Sequence, residues 1–208
     1  MRTEGSGPAH MVQGWCLTAW LGFVVLTICL LAFVLSPDPV VGARMVIRLT
    51  ARTSLMLFVL AFTASSLAAL LPSPATGWIR ANRRYFGVAF AISHLIHAIG
   101  ILLLSHLAPA LFDRLTTPAS FIAGGLGYAI ILSMLLTSSD RAVGLLGLRA
   151  WQILHKAGAW FLALFFVINF GRRAVVMPNI YWPYMVLIFA AIVIRLLAAR
   201  HGARAQLT

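Results

Sequence analysis

Apolar residues in this chain come in long unbroken runs, without the alternation of a half-buried strand or the one-sided stripe of a surface helix. Six runs, at about 15–35, 52–71, 86–106, 119–137, 151–170 and 180–199, reach or approach the length needed to cross a membrane. A hydrocarbon core about 30 Å thick takes roughly 20 apolar helical residues. Turn residues punctuate the runs: Ser36-Pro37-Asp38-Pro39, Pro72-Ser73-Pro74, Thr116-Thr117-Pro118 and Ser138-Ser139-Asp140. Short connections make consecutive helices antiparallel neighbours. The pattern predicts an all-α integral membrane protein, a bundle of six transmembrane helices over 15–200, with tails at 1–14 and 201–208.

Composition agrees with the pattern. Of 208 residues, 62% are hydrophobic and 10% charged, and mean hydropathy is +0.96, outside the range of water-soluble domains. Arg2 precedes the first run, but Leu35-Ser36-Pro37-Asp38 follows it instead of a small-residue cleavage site, so the run reads as a retained helix and not a signal peptide. Cys16 and Cys29 share that helix. They would lie on the order of 20 Å apart, too far for a disulfide.

The net charge of +12 raises the question of nucleic acid. The basic residues instead fall in short loops, where they set topology and meet lipid headgroups. Six spans place both termini on one side, with Arg2, Arg80, Arg83, Arg84, Arg141, Arg149, Lys156, Arg195, Arg200 and Arg204. The other side has Arg44, Arg48, Arg52, Arg114, Arg172 and Arg173. Ten against six favours termini in the cytoplasm. No nucleic-acid partner is expected; the bilayer is.

The four carboxylates, Glu4, Asp38, Asp113 and Asp140, all lie outside the runs, which argues against a proton-coupled transporter. Imidazole is the chemistry left at depth. His94 and His97 share a helix face beside Ser93, and His155 opens the fifth run, which is parallel to the third. His106 points away from His97, near the end of its span. Two neutral imidazoles on facing helices are what a six-coordinate b-type heme requires. Depth, counted along the helices, differs by roughly 12 Å between His97 and His155 and roughly 8 Å between His94 and His155. The expected site is therefore His155 with either His94 or His97. Arg83, Arg84 and Arg52 are candidates for heme propionates; for Arg83 and Arg84 the simpler reading is an anchor in lipid phosphates. Gly124, Gly125 and Gly127 in the fourth run read first as tight helix packing and second as a cofactor slot. Trp160, Phe161, Phe165 and Phe166 read as packing residues that could flank a macrocycle.

Two stretches carry a family resemblance. Arg83-Arg84-Tyr85-Phe86-Gly87-Val88 followed by His97, and Asp140-Arg141 through Gly144-Leu145-Leu146-Gly147 to Trp151-Gln152-Ile153-Leu154-His155, resemble the ferric reductase-like transmembrane domain. That superfamily includes the heme-binding membrane subunit of the bacterial methionine sulfoxide reductase system, six-span metalloreductases and NADPH oxidases. The resemblance spans about 45–200. It implies that His97 is the third-helix heme ligand and His155 the first of the fifth helix. A further fifth-helix histidine of the family is replaced here by Ile168 and Asn169, so one heme b is expected and not two. The implied activity is transmembrane electron transfer as an oxidoreductase subunit. No glycine-rich dinucleotide fingerprint follows a strand, so electrons would come from a partner flavoprotein or a quinol. A heme-free structural or assembly subunit of the same fold is the alternative. Oligomeric state, and whether iron is a substrate, are not readable from these residues.

Overall fold

The computed structural model describes residues 12–205; the calls on 1–11 and 206–208, including Arg2, Glu4 and most of the N-terminal tail, lie outside the described residues. Six of its helices are long and apolar enough to cross a membrane: α1 (Gly14–Val34), α2 (Pro39–Leu70), α4 (Arg83–Leu107), α6 (Pro118–Leu136), α8 (Leu148–Val176) and α9 (Pro178–Ala205). Between them lie three short helices, α3 (Pro74–Ala81), α5 (Pro109–Leu115) and α7 (Asp140–Leu146). The described chain contains no strand, so the six-span all-α membrane bundle is the fold.

The turn residues expected to break the chain instead start helices. Asp38 caps α2, its carboxylate accepting from the Val40 and Val41 amides at 2.9 Å each, with Pro39 at the first helical position. Ser73 with Thr76, and Thr117 with Ser120, form reciprocal capping boxes at α3 and α6, each followed by proline. These caps explain why α2 begins at Pro39 and not near 52: the cap sets the start, and Arg44, Arg48 and Arg52 lower hydropathy without breaking the helix. At 32 residues, α2 is about 48 Å long, well beyond the hydrocarbon thickness. Gly147, at φ 76°, makes the reversal between α7 and α8.

The core lies among α2, α4, α8 and α9. Leu55, Phe58, Phe62, Phe86, Phe90, Leu162, Phe166, Phe170 and Ile188 are buried there in one cluster. Close helix approach occurs where glycine has no side chain: a Cβ on Gly42 would meet Phe33 at 2.8 Å and its carbonyl oxygen at 3.0 Å, and one on Gly158 would meet Met134 Sδ at 2.6 Å. Hydroxyls tie α2 to α4. Ser93 meets Thr53 and Ser54 hydroxyls at 2.9 Å each, and donates to the Thr50 carbonyl at 3.4 Å. By contrast α6 is mostly exposed and buries Gly127 and Ile131.

Candidate functional site

The starts of α2, α6 and α9 and the ends of α4 and α8 share the face of the bundle opposite the one where α1 begins. In that half lies a cavity of about 200 Å³. Its floor and walls are Phe90, Ile101, Gly124, Ile131, Leu162, Phe165, Phe166 and Phe170; its polar lining is His94, His97, Tyr128 and Asn169; Arg48, Arg52, Arg173 and Tyr181 complete it toward the outer end. No carboxylate lines it.

His97 is oriented from α2. Its Nδ1 lies 3.0 Å from the Ile47 carbonyl oxygen and 2.9 Å from Thr50 Oγ1. A carbonyl can only accept, so Nδ1 carries the proton and Nε2 keeps its lone pair. Thr50 Oγ1 in turn donates to the Val46 carbonyl at 2.6 Å, which leaves the hydroxyl lone pairs turned to His97. An imidazole with Nδ1–H held by a backbone carbonyl and a free Nε2 is the arrangement of a metal-binding histidine.

His94 sits one turn away, its ring 5.1 Å from that of His97 and 5.1 Å from that of Tyr128. It is 8% exposed, and its Nδ1 is buried without a hydrogen-bond partner. The Tyr128 hydroxyl and Arg52 Nε are in the same condition. Buried polar groups are nearly always paired; three unpaired ones line this cavity, and Trp78 Nε1 and Arg84 Nε are in the same condition away from it.

The structure does not bring His155 to this cavity. His155 lies seven residues into α8 and His97 fourteen into α4, two parallel helices starting on the same face, an offset of roughly 10 Å in depth. The His155 ring stacks on Trp151 at 4.4 Å, and its Nε2 lies 3.0 Å from Thr137 Oγ1; Trp151 Nε1 donates to the Thr137 carbonyl at 2.9 Å. This ties the start of α8 to the end of α6. His155 therefore stands apart from His94 and His97, nearer the other face of the bundle. Arg83 and Arg84 do not line the cavity either. Arg84 pairs with Asp140 at 3.0 Å and lies over Trp15, and Arg83 donates to Ser65. His106 is exposed.

Other residues join the site. Arg52 lines it as expected; Arg48, Arg173, Tyr128 and Tyr181 do so without having been singled out. For Arg48 the sequence signal is the spacing Arg44, Arg48, Arg52, a basic stripe at every fourth position of one helix. Asn169 faces the same cavity as His97. Tight packing, the first reading of the fourth-run glycines, does not hold for Gly124 and Gly125, whose Cβ atoms would meet nothing within 4 Å. Gly124 and Gly127 line the cavity instead. Among the described residues no group of three or more His, Cys, Asp or Glu converges as a metal centre. No protein-family model, curated protein or solved structure matches the chain.

Proposed function

We propose that this chain is a membrane cytochrome b-like subunit of the ferric reductase-like type that passes electrons through the bilayer, holding one heme b in the outer-half cavity through His97. The observation that carries this reading is the His97 imidazole, with Nδ1–H fixed by Ile47 and Nε2 free beside a cavity walled by Phe90, Phe165, Phe166 and Phe170.

The residues fit the group. A heme needs a neutral imidazole nitrogen, apolar walls and cations for its propionates. His97, the four phenylalanines and the arginines Arg48, Arg52 and Arg173 supply these. At about 200 Å³ the cavity is smaller than a heme, so the group would enter only with outward movement of a wall; α6, with only Gly127 and Ile131 buried, is the least embedded of the walls. A heme b bound there would supply one-electron transfer, its potential tuned by ligand and burial. The chain's own residues bind and orient: Ile47 and Thr50 fix the His97 tautomer, and the aromatic walls exclude water. Asn169 lines the cavity from α8, at the place where the resemblance would put a histidine, so that position would supply no second imidazole. Electrons come from a partner flavoprotein or a quinol. By the arginine asymmetry of the loops the termini are cytoplasmic, and the resemblance to a bacterial reductase subunit suggests a bacterial inner membrane.

A second reading, a heme-free structural or assembly subunit, is favoured by the engagement of His155 with Thr137 and Trp151. An absorption spectrum of detergent-purified protein produced with ample heme supply separates the two. Cytochrome b bands in the reduced-minus-oxidised difference support the first; a featureless spectrum without iron rejects it.

A further inference from the structure

The outer end of the cavity gathers positive charge that nothing in the described chain balances. Arg48 and Arg52 lie one turn apart on α2, Arg173 comes from the end of α8, and Tyr181 from the first turn of α9. The guanidinium carbon of Arg52 is 5.6 Å from the Tyr181 ring centre, and that of Arg173 is 5.9 Å from the same ring. Arg173 also donates to the Tyr181 hydroxyl at 3.5 Å. Two like charges thus converge on one aromatic ring. A ring quadrupole attracts each cation but neutralises neither.

None of the described carboxylates lines the cavity or pairs with these arginines. Asp38 caps α2, Asp140 pairs with Arg84, and Asp113 lies in α5. The Arg84–Asp140 bridge is the one ion pair among the described residues. Arg52 Nε is, besides, buried with no hydrogen-bond partner. Cations gathered without a counter-ion, one with a buried unpartnered N–H, favour an anion. Guanidinium forks suit the oxygen pairs of carboxylate and phosphate.

We infer that Arg48, Arg52 and Arg173, with Tyr181, form an oxyanion site at the outer mouth of the cavity, binding the carboxylate or phosphate end of a ligand whose apolar part lies among the phenylalanines. The inference does not depend on heme: a propionate, a lipid phosphate and a free oxyanion share this chemistry, and the site orients any of them with its charge outward.

The test uses the full chain purified in detergent, with inorganic phosphate titrated against chloride at equal ionic strength and thermal unfolding as the readout. Wild-type protein is expected to gain a saturable rise in unfolding midpoint; general exclusion of phosphate from the protein surface would give a rise that does not saturate. Arg52→Gln and Arg173→Gln are each expected to weaken phosphate binding about tenfold or more. Arg52→Lys, which keeps the charge and loses the fork, gives a second variant should Arg52→Gln fail to accumulate, and it is expected to bind phosphate more weakly than wild type. Two further arms identify the source. Phosphatidylglycerol that co-purifies with wild type and is lost from the variants assigns a headgroup. Heme that binds wild type more tightly than its dimethyl ester, a difference erased in the variants, assigns a propionate. No saturable phosphate response in wild type, or an unchanged response in all three variants, overturns the inference. A phosphate response that follows the arginines in protein that takes up no heme would reject the heme reading and leave the oxyanion site standing.

Discussion

His97 and Ile47 are joined across α4 and α2 by an Nδ1–H···O=C bond 3.0 Å long, and that bond decides which imidazole nitrogen is available to a ligand. Thr50, fully buried and 2.9 Å from the same Nδ1, is the second acceptor. Replacing it by valine keeps the shape and removes the hydroxyl. Partners of this kind are worth about 10–100-fold in metal affinity. With Ile47 still in place, Thr50→Val is expected to weaken heme binding about tenfold, read by titrating heme into protein produced without it. An unchanged affinity would show that Ile47 alone orients the ring.

Ser93 is the hub between α2 and α4, linked to the Thr53 and Ser54 hydroxyls and the Thr50 carbonyl. Interhelical hydrogen bonds in a bilayer average about 0.6 kcal/mol each. Ser93→Ala is therefore expected to destabilise the bundle by about 1–2 kcal/mol, measured by unfolding in mixed micelles.

The glycines separate into two groups by what surrounds them. Gly42→Ala places a methyl 2.8 Å from the Phe33 ring and 3.0 Å from a backbone oxygen that cannot swing aside, and is expected to cost about 1–3 kcal/mol. Gly124→Ala meets nothing within 4 Å and is expected to be neutral or to stabilise by up to about 1 kcal/mol through helix propensity. Gly124→Phe should fold as well as Gly124→Ala yet take up less heme, because its side chain projects where the cavity lies. Thermal unfolding and heme content of the three proteins check this together.

Much of the fold was legible in the chain, because six uninterrupted apolar runs leave few ways to satisfy backbone groups in lipid. The start of α2 was not. Hydropathy is lowered by Arg44, Arg48 and Arg52, whereas the helix boundary is set by the Asp38 cap and Pro39. Of the site, His94 and His97 were visible as imidazoles at depth, and the i, i+3 spacing put them on one face. The depth offset of His155 was also legible from helix counting, and the structure keeps it, at roughly 10 Å from His97; what the sequence did not reveal is that His155 is engaged by Thr137 and Trp151. The rim of arginines from α2 and α8 escaped notice because residues 48 and 173 are distant in sequence and met only once α2 and α8 packed. The orphaned Tyr128 hydroxyl has no sequence signal at all.

Six spans place both ends of the chain on one side of the membrane. Fluorescent-protein fusions at either terminus are expected to be fluorescent in a bacterial host, and alkaline phosphatase fused at Asp113 in α5 to be active. The reverse pattern would invert the sidedness and put the cavity mouth toward the cytoplasm.

The central claim is that His97, and not His155, holds the heme, so the most direct measurement compares reduced-minus-oxidised spectra of wild type, His97→Ala and His155→Ala proteins, purified in detergent after expression with ample heme. We expect cytochrome b bands in wild type, their loss in His97→Ala and their retention in His155→Ala. Bands that survive in His97→Ala, or that vanish with His155→Ala, would contradict it.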